Sequence, residues 1–117
     1  MKGELEKLST MFAVKVLNFV KWLEKSNEFV IANQLGRSGT SIGANVREAH
    51  YAQSKADFIN KLSIALKEAY ETEYWLELVE QTVLNFNRED FSRLQKDCNS
   101  LRLLLVSSVR TAKGTKI

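Results

Sequence analysis

Proline is absent from this chain of 117 residues, and glycine occurs only five times. Since these two residues form most tight turns of β-hairpins and irregular loops, their scarcity argues against a β-sandwich or a barrel. Cysteine and histidine occur once each, as Cys98 and His50. A lone cysteine cannot form an internal disulfide, and a lone histidine cannot supply the two Glu-x-x-His motifs of a carboxylate-bridged metal bundle. The sequence therefore predicts neither a disulfide scaffold nor a bound metal or other cofactor.

Long apolar runs are also missing, because no stretch approaches the roughly 18 consecutive apolar residues of a membrane span. The first ten residues, MKGELEKLST, include acids and lack the apolar segment of a signal peptide. We therefore expect a cytoplasmic protein with no membrane partner, folded as one domain over residues 1–117. Seventeen basic residues against 14 acidic ones give a net charge of +3, which permits contact with nucleic acid without requiring it.

Apolar residues recur every three or four positions in four segments, which predicts four amphipathic helices over about 4–25, 26–49, 54–84 and 87–114. N-caps are predicted at Ser26 or Asn27, at Ser54 with Asp57, and at Asn87 with Asp90, and Gly114 is predicted to end the fourth helix. The connections are short, so successive helices should run antiparallel. The predicted fold is all-α, an antiparallel up-down-up-down four-helix bundle.

The second segment contains three glycines, each of which costs about 1 kcal/mol relative to alanine inside a helix. Helix propensity alone would break the chain there. Gly36, Gly39 and Gly43 nevertheless recur at helical spacing with Ala32. We therefore expect one continuous helix whose small residues form a groove that a neighbouring helix approaches closely.

Several apolar residues lie off the predicted core stripes of the third and fourth helices: Ile59, Leu66, Tyr70, Tyr74, Trp75, Leu103, Leu104 and Val106. One internal core does not account for all of them. We predict a subunit interface along these two helices, because monomers usually avoid exposing an apolar patch of this density. The alternative is that they are scattered surface residues, which are common.

Two blocks, QLGRSGTSIGANVREA (Gln34 to Ala49) and SKADFINKLSIALKEAYETEYWLEL (Ser54 to Leu78), resemble the bacterial four-helix-bundle family first described from intervening sequences of large-subunit ribosomal RNA genes. That family is related to the accessory variability protein of diversity-generating retroelements. The resemblance covers about residues 10–110 and implies a continuous second helix and a homopentameric ring of bundles. For the retroelement member it implies binding of nucleic acid and of a reverse transcriptase through a basic surface, whereas most members carry no established biochemical activity.

Polar residues inside these blocks fall at helical intervals on neighbouring helices: Arg37, Ser38, Ser41, Asn45, Glu48, Lys61, Glu68 and Glu71. We predict a buried polar network in which Asn45 or Arg37 pairs with Glu68 or Glu71 and fixes the register of the helices. The alternative is that Glu48, Glu68 and Glu71 act as acid, base or metal ligands. That alternative would need histidine partners that the chain lacks.

The candidate nucleic-acid-binding residues are Arg37, Arg47, Lys55, Lys61, Arg102, Arg110, Lys113 and Lys116. Five subunits would raise the net charge from +3 to about +15 and gather these bases into a continuous field. An ordinary solvated face is the alternative interpretation. Binding through this surface would be insensitive to base sequence and strongly dependent on salt.

The sequence as a whole predicts a non-enzymatic, oligomeric binding or scaffolding protein. Its partners would be other copies of the chain and RNA, DNA or a nucleic-acid enzyme. The alternatives are a purely structural protein that assembles only with itself and a metal-dependent enzyme of the carboxylate-bundle type.

Overall fold

A computed structural model describes residues 3–114, which form four helices and, within that range, no strand. The helices are α1 (Glu4–Lys25), α2 (Phe29–His50), α3 (Lys55–Thr82) and α4 (Arg88–Lys113). Helix α1 packs on α2 and α4, and α3 packs on the same two helices, so the four helices enclose one core. The prediction of an all-α bundle of four helices is confirmed. Among residues 3–114, no helix has both the length and the apolarity to cross a bilayer.

Two of the three predicted N-caps are confirmed. The Ser54 hydroxyl accepts a hydrogen bond from the Asp57 amide at 3.0 Å, and the Asn87 side chain accepts one from the Asp90 amide at 3.0 Å. Gly114 ends α4 in the left-handed conformation, with φ +74°. Each of these short polar side chains satisfies an amide that the first turn of a helix leaves without a partner.

The N-cap predicted for α2 at Ser26 or Asn27 is wrong. Ser26 is the C-cap of α1, and Asn27 adopts a left-handed conformation with φ 62°. The Asn27 amide donates to the Glu24 carbonyl at 3.0 Å, and the Glu28 amide donates to the Leu23 carbonyl at 2.9 Å. This pair of bonds is the Schellman arrangement that closes a helix C-terminus. The polar residues therefore end α1, and α2 begins at Phe29 without a side-chain cap.

The core is formed largely by the predicted stripes. On α1 and α2 the predicted stripe residues Leu5, Leu8, Phe19 and Ile31 are only half-buried, whereas Glu6 and Ser9 are buried. All six stripe residues of α4, from Phe91 to Val109, are buried, as are those of α3 from Leu62 to Val83. Phe58 is 37% exposed, because the first turn of α3 borders an open cavity at the end of the bundle. Asn45 is half-buried, and its neighbour Val46 takes the core position. Helix α2 must bury a wide face against both α1 and α3, which moves the centre of that face away from Asn45.

Helix α2 runs unbroken through its glycines, as predicted, because these residues face α1 at close range. A Cβ added to Gly36 would lie 3.6 Å from Val20. A Cβ added to Gly39 would lie only 2.8 Å from Val16, and one added to Gly43 would lie 3.3 Å from the carbonyl oxygen of Ser9. The missing side chains let two helix backbones approach closely, and the resulting packing offsets the poor helix propensity of glycine.

Candidate functional site

The predicted polar network forms in part, and at the surface. Arg37 pairs with Glu71 and, at 3.3 Å, with Glu68, which joins α2 to α3. The Trp75 indole donates to the same Glu71 carboxylate at 2.9 Å, and Gln34 accepts from the Arg37 guanidinium at 3.2 Å. The Arg37 side chain is 46% exposed. The expectation of a buried network is therefore wrong, and this cluster is an ion pair in contact with solvent.

The remaining predicted members of the network do not join this cluster. Glu48 pairs with Lys61 at 2.8 Å, and this hydrogen bond raises the pKa of Lys61. Ser41 donates to the Arg37 carbonyl at 2.7 Å, and Asn45 donates to the Ser41 carbonyl at 2.9 Å. Of the two predicted alternatives, Arg37 makes the pairing with Glu68 and Glu71, whereas the Asn45 amide donates to the main chain of its own helix.

The buried polar contact between α2 and α3 is made by two hydroxyl groups that sequence analysis did not pair. Ser38 and Thr72 are both fully buried, and their oxygens lie 2.9 Å apart. Thr72 also lies 2.7 Å from the Glu68 carbonyl. Since a hydroxyl group has one proton, Thr72 donates to that carbonyl and Ser38 donates to Thr72. Ser38 falls at helical spacing with Leu35 and Ile42, and Thr72 with Ala69 and Leu76, so a polar residue within an apolar stripe was the signal for this contact.

Four of the predicted nucleic-acid-binding residues form ion pairs with carboxylates. Besides Arg37 and Lys61, Arg47 pairs with the buried Glu6 at 3.1 Å, and Arg102 pairs with Glu73 at 2.8 Å. These four bases stabilise contacts between helices of one subunit. Their local charge is largely neutralised, which weakens any field that they could project toward a phosphate backbone.

Three of the other predicted bases, Lys55, Arg110 and Lys113, lie at one end of the bundle. Among residues 3–114, Lys55, Arg110 and Lys113 have no carboxylate within 4.0 Å, whereas Lys116 lies outside the described residues. Lys55 begins α3, and Arg110 and Lys113 are in the last turn of α4. A cavity of about 400 Å³ is lined by Phe58 of α3 and Thr111 of α4, so these two helix ends lie side by side.

Three of the predicted interface residues of α3 and α4 are exposed. Tyr70 is 51% exposed, Tyr74 is 52% exposed and Leu103 is 55% exposed. Arg102 joins the two helices there, because its guanidinium lies 5.5 Å from the centre of the Tyr70 ring. The other predicted interface residues are half-buried: Ile59, Leu66, Trp75, Leu104 and Val106. Leu66 and Trp75 pack against the core, and Trp75 is bonded to Glu71 on the side toward α2. We call the three exposed residues, Tyr70, Tyr74 and Leu103, the α3/α4 outer face.

An aromatic cluster at the opposite end of α4 was not found by sequence analysis. The rings of Phe19 and Trp22 stack with centroids 5.7 Å apart, Phe19 contacts Phe91, and Phe91 contacts Phe86. A second cavity of about 400 Å³ lies beside Phe19 and Trp22, between α1 and α4. The sequence carried a signal for this cluster, namely two aromatic residues three positions apart on α1 and two more flanking the start of α4.

The candidate residues for chemistry are one thiol and three carboxylates. Burial raises the pKa of the Cys98 thiol to about 12, so the thiol stays protonated at neutral pH. Among residues 3–114, no three ligating side chains lie close enough together to hold a metal ion. Glu48, Glu68 and Glu71, the carboxylates considered for acid–base chemistry, are each paired with a base.

The fold and the surface pairing define a four-helix-bundle protein of the all-α class. The chain matches the model of the 23S rRNA-intervening sequence protein family over residues 2–107 and belongs to that family. The resemblance noted in the sequence is confirmed.

A solved structure supports the same assignment. The chain is similar to a protein of unknown function from the S23 ribosomal protein family of Bacteroides thetaiotaomicron VPI-5482, with 50% sequence identity and a TM-score of 0.85. The match covers 91% of this chain and 98% of that one. The comparison with curated proteins gave no match.

Proposed function

We propose that this protein is a non-enzymatic, cytoplasmic scaffold that assembles through its α3/α4 outer face into a ring of five subunits. The observation that carries the proposal is the exposure of Tyr70, Tyr74 and Leu103 together on this face. Tyrosine and leucine contribute large contact areas, and a fully solvated face would leave that area without a partner.

The helix order that we propose within each subunit is antiparallel. Along the contact between α1 and α2, Gly36 lies by Val20, Gly39 by Val16 and Gly43 by Ser9. The residue numbers rise on one helix while they fall on the other. Antiparallel helices joined by short connections give the up-down-up-down order.

A ring requires two different faces on each subunit, because an interface between like faces stops at a dimer. Helix α1 offers a second face. Met11 is 56% exposed, Val14 is 54% exposed and Leu17 is 47% exposed, and they recur every three residues along α1. We propose that this face of one subunit contacts the α3/α4 outer face of the next.

Light scattering tests the assembly directly. Five subunits of 13.4 kDa would give a mass of about 67 kDa. The variant Leu103→Glu should dissociate the ring, because it would bury an unpaired carboxylate in the interface. The matched control is Val30→Glu on α2, since Val30 is 77% exposed and lies away from both faces. A monomeric wild type, or a Leu103→Glu variant that assembles like the control, would contradict the proposal.

Binding of RNA or DNA, or of an enzyme that acts on them, is a second candidate function. It is favoured by Lys55, Arg110 and Lys113, which have no carboxylate partner among residues 3–114, and a ring would bring five copies of this basic end together. The double variant Arg110→Gln/Lys113→Gln should weaken binding and flatten its salt dependence, whereas Arg47→Gln should change binding little. Equal binding by the two variants would argue against this surface and leave a purely structural assembly.

A further inference from the structure

The cavity between α1 and α4 has the size and lining of a small-ligand site. Its volume of about 400 Å³ is within the range of roughly 300–1,000 Å³ that ligand pockets occupy. Phe19 and Trp22 of α1 form one wall, and Leu94 of α4 belongs to the opposite side. The cavity lies at the start of α4, whereas the basic end described above lies at its last turn. About 20 residues of helix, or roughly 30 Å, separate the two sites.

The aromatic wall is ordered by contact with the buried ring of Phe91. Phe19 and Trp22 are nearly parallel, with an interplanar angle of 21°, and both are half-buried. Phe91 is fully buried and lies 5.8 Å from Phe19, between that ring and Phe86. A flat aromatic surface that is already ordered loses little conformational entropy on binding, and it favours a planar ring over an aliphatic chain.

Two side-chain amides stand at the edge of this aromatic wall. Asn18 and Asn87 both line the cavity. The Asn87 oxygen accepts the hydrogen bond from the Asp90 amide, which fixes the orientation of the side chain and leaves its NH₂ group to donate. The Asn18 amide offers a donor and an acceptor side by side, which is the pattern that pairs with the edge of an adenine base, and Asn87 adds a second donor.

Two cations and one carboxylate, that of Asp90, complete the lining. Lys15 pairs with Asp97 at 2.6 Å, and Arg93 pairs with Glu89 and, at 3.6 Å, with Asp90. The side chains of Lys15 and Arg93 are 48% and 63% exposed. Ion pairs this exposed contribute about 0–1 kcal/mol, so a phosphate group can displace the carboxylates at small cost. Arginine in particular binds phosphate through two parallel hydrogen bonds.

We propose that this cavity binds a purine nucleotide. The base lies against Trp22, the amides of Asn18 and Asn87 contact its edge, and Arg93 with Lys15 holds the phosphate. This inference goes beyond the scaffold function, and it requires neither the ring nor the bases at the other end of α4. The same chemistry would accept a free nucleotide or one adenine nucleotide of a single strand.

The two tryptophans make the test specific, because each variant leaves one reporter. Trp75→Phe leaves only Trp22 in the cavity, and Trp22→Phe leaves only Trp75, which contacts Glu71 between α2 and α3. Titration of the Trp75→Phe protein with AMP should quench its fluorescence saturably, because the base stacks on the indole. The Trp22→Phe protein should show no saturable change. Quenching of equal size in both variants, or none at millimolar AMP, would overturn the proposal.

A third variant tests the phosphate contact. Arg93→Gln in the Trp75→Phe background should weaken AMP binding about tenfold, the effect of one charge-assisted hydrogen bond, and should leave adenosine binding unchanged. Far-UV circular dichroism checks that this variant is folded. Unchanged AMP affinity in Arg93→Gln would overturn the proposal that Arg93 binds the phosphate.

A parallel titration with a short oligodeoxyadenylate distinguishes a free nucleotide from a nucleotide within a single strand. Tighter binding of the oligonucleotide than of AMP supports a single strand as the natural ligand, and the reverse order supports a free nucleotide. Light scattering of the same samples measures assembly separately. A protein that does not form the ring can therefore be distinguished from one that does not bind a nucleotide.

Discussion

The two sides of helix α2 are held in different ways. Toward α1 the helix presents glycines, and the two backbones approach so closely that a Cβ on Gly39 would lie 2.8 Å from Val16. Toward α3 the contact is polar, with a buried pair of hydroxyl groups at Ser38 and Thr72 and an exposed ion pair at Arg37. The side toward α1 is distinguished by the close approach of the two backbones, beside the Arg47–Glu6 ion pair, whereas the side toward α3 is distinguished by its buried pair of hydroxyl groups. Substitutions on the two sides should therefore lower the free energy of unfolding for different reasons.

The largest effect is expected from Gly39→Ala. The new Cβ would meet the branched side chain of Val16, which is stiff, so the helices must separate. We expect a loss of about 1–3 kcal/mol in the free energy of unfolding, because overpacking outweighs the gain in helix propensity. Gly36→Ala is the matched control, since its Cβ would lie at the ordinary contact distance of 3.6 Å from Val20.

Urea denaturation measures both variants. Gly36→Ala should raise the free energy of unfolding by up to about 1 kcal/mol, so the two substitutions should have opposite signs. If both variants were stabilised, close backbone approach would not be what distinguishes this side of α2.

Thr72→Val tests the polar side. The substitution keeps the shape of the side chain but leaves the buried Ser38 hydroxyl without its acceptor. We expect a loss of about 1–2 kcal/mol, and we expect the double variant Ser38→Ala/Thr72→Val to lose less than the sum of the single variants. A double-mutant cycle by urea denaturation gives the coupling. Additive single effects would show that the two hydroxyl groups do not interact.

Cys98 lies between α3 and α4, where its thiol approaches the Ala69 carbonyl. The pH dependence of the free energy of unfolding tests the burial of this thiol. Its pKa is raised from 9.0 to about 12 by burial, so the unfolded chain releases the thiol proton at lower pH than the folded protein does. Above pH 9 the unfolded state thus binds fewer protons, and the stability contribution falls by up to about 1.4 kcal/mol per pH unit until the pH approaches 12.

Stability measured at pH 8 and pH 10 should therefore decline more in the wild type than in Cys98→Ala, which has no thiol. A thiol reagent provides an independent readout, because it should modify Cys98 in urea but not in the native protein. Rapid labelling of the folded protein would contradict the burial of this thiol.

The smallest effect is expected from Arg37→Gln. The ion pairs of Arg37 with Glu68 and Glu71 are partly exposed to solvent, so salt and water screen them. We expect a loss below about 1 kcal/mol, and we expect the difference from wild type to shrink further in 0.5 M salt. Thermal unfolding at low and high salt measures it. A loss as large as that of Thr72→Val would mean that this ion pair, rather than the buried hydroxyl groups, holds α2 against α3.

The amino-acid sequence alone determined the architecture of the protein. The spacing of Leu62, Ala65, Ala69 and their successors specified α3, because burial of a continuous stripe outweighs other local preferences. Ser54 and Asn87 marked helix starts through short-range hydrogen bonds that depend on neighbouring residues only. The family could also be recognised from the sequence, because each of its two sequence blocks lies within a single helix.

Only the tertiary structure decided which side chains meet. Ser26 and Asn27 have the chemistry of an N-cap, yet the closing turn of α1 uses them as its C-terminus. Arg37 lies near the core stripe in sequence but reaches acids at the surface, and Asn45 turns to its own main chain. The cavity beside Trp22 combines residues 15–22 with residues 87–94. Such contacts depend on the rotation and separation of whole helices, which the packing of all four fixes together and which no local pattern encodes.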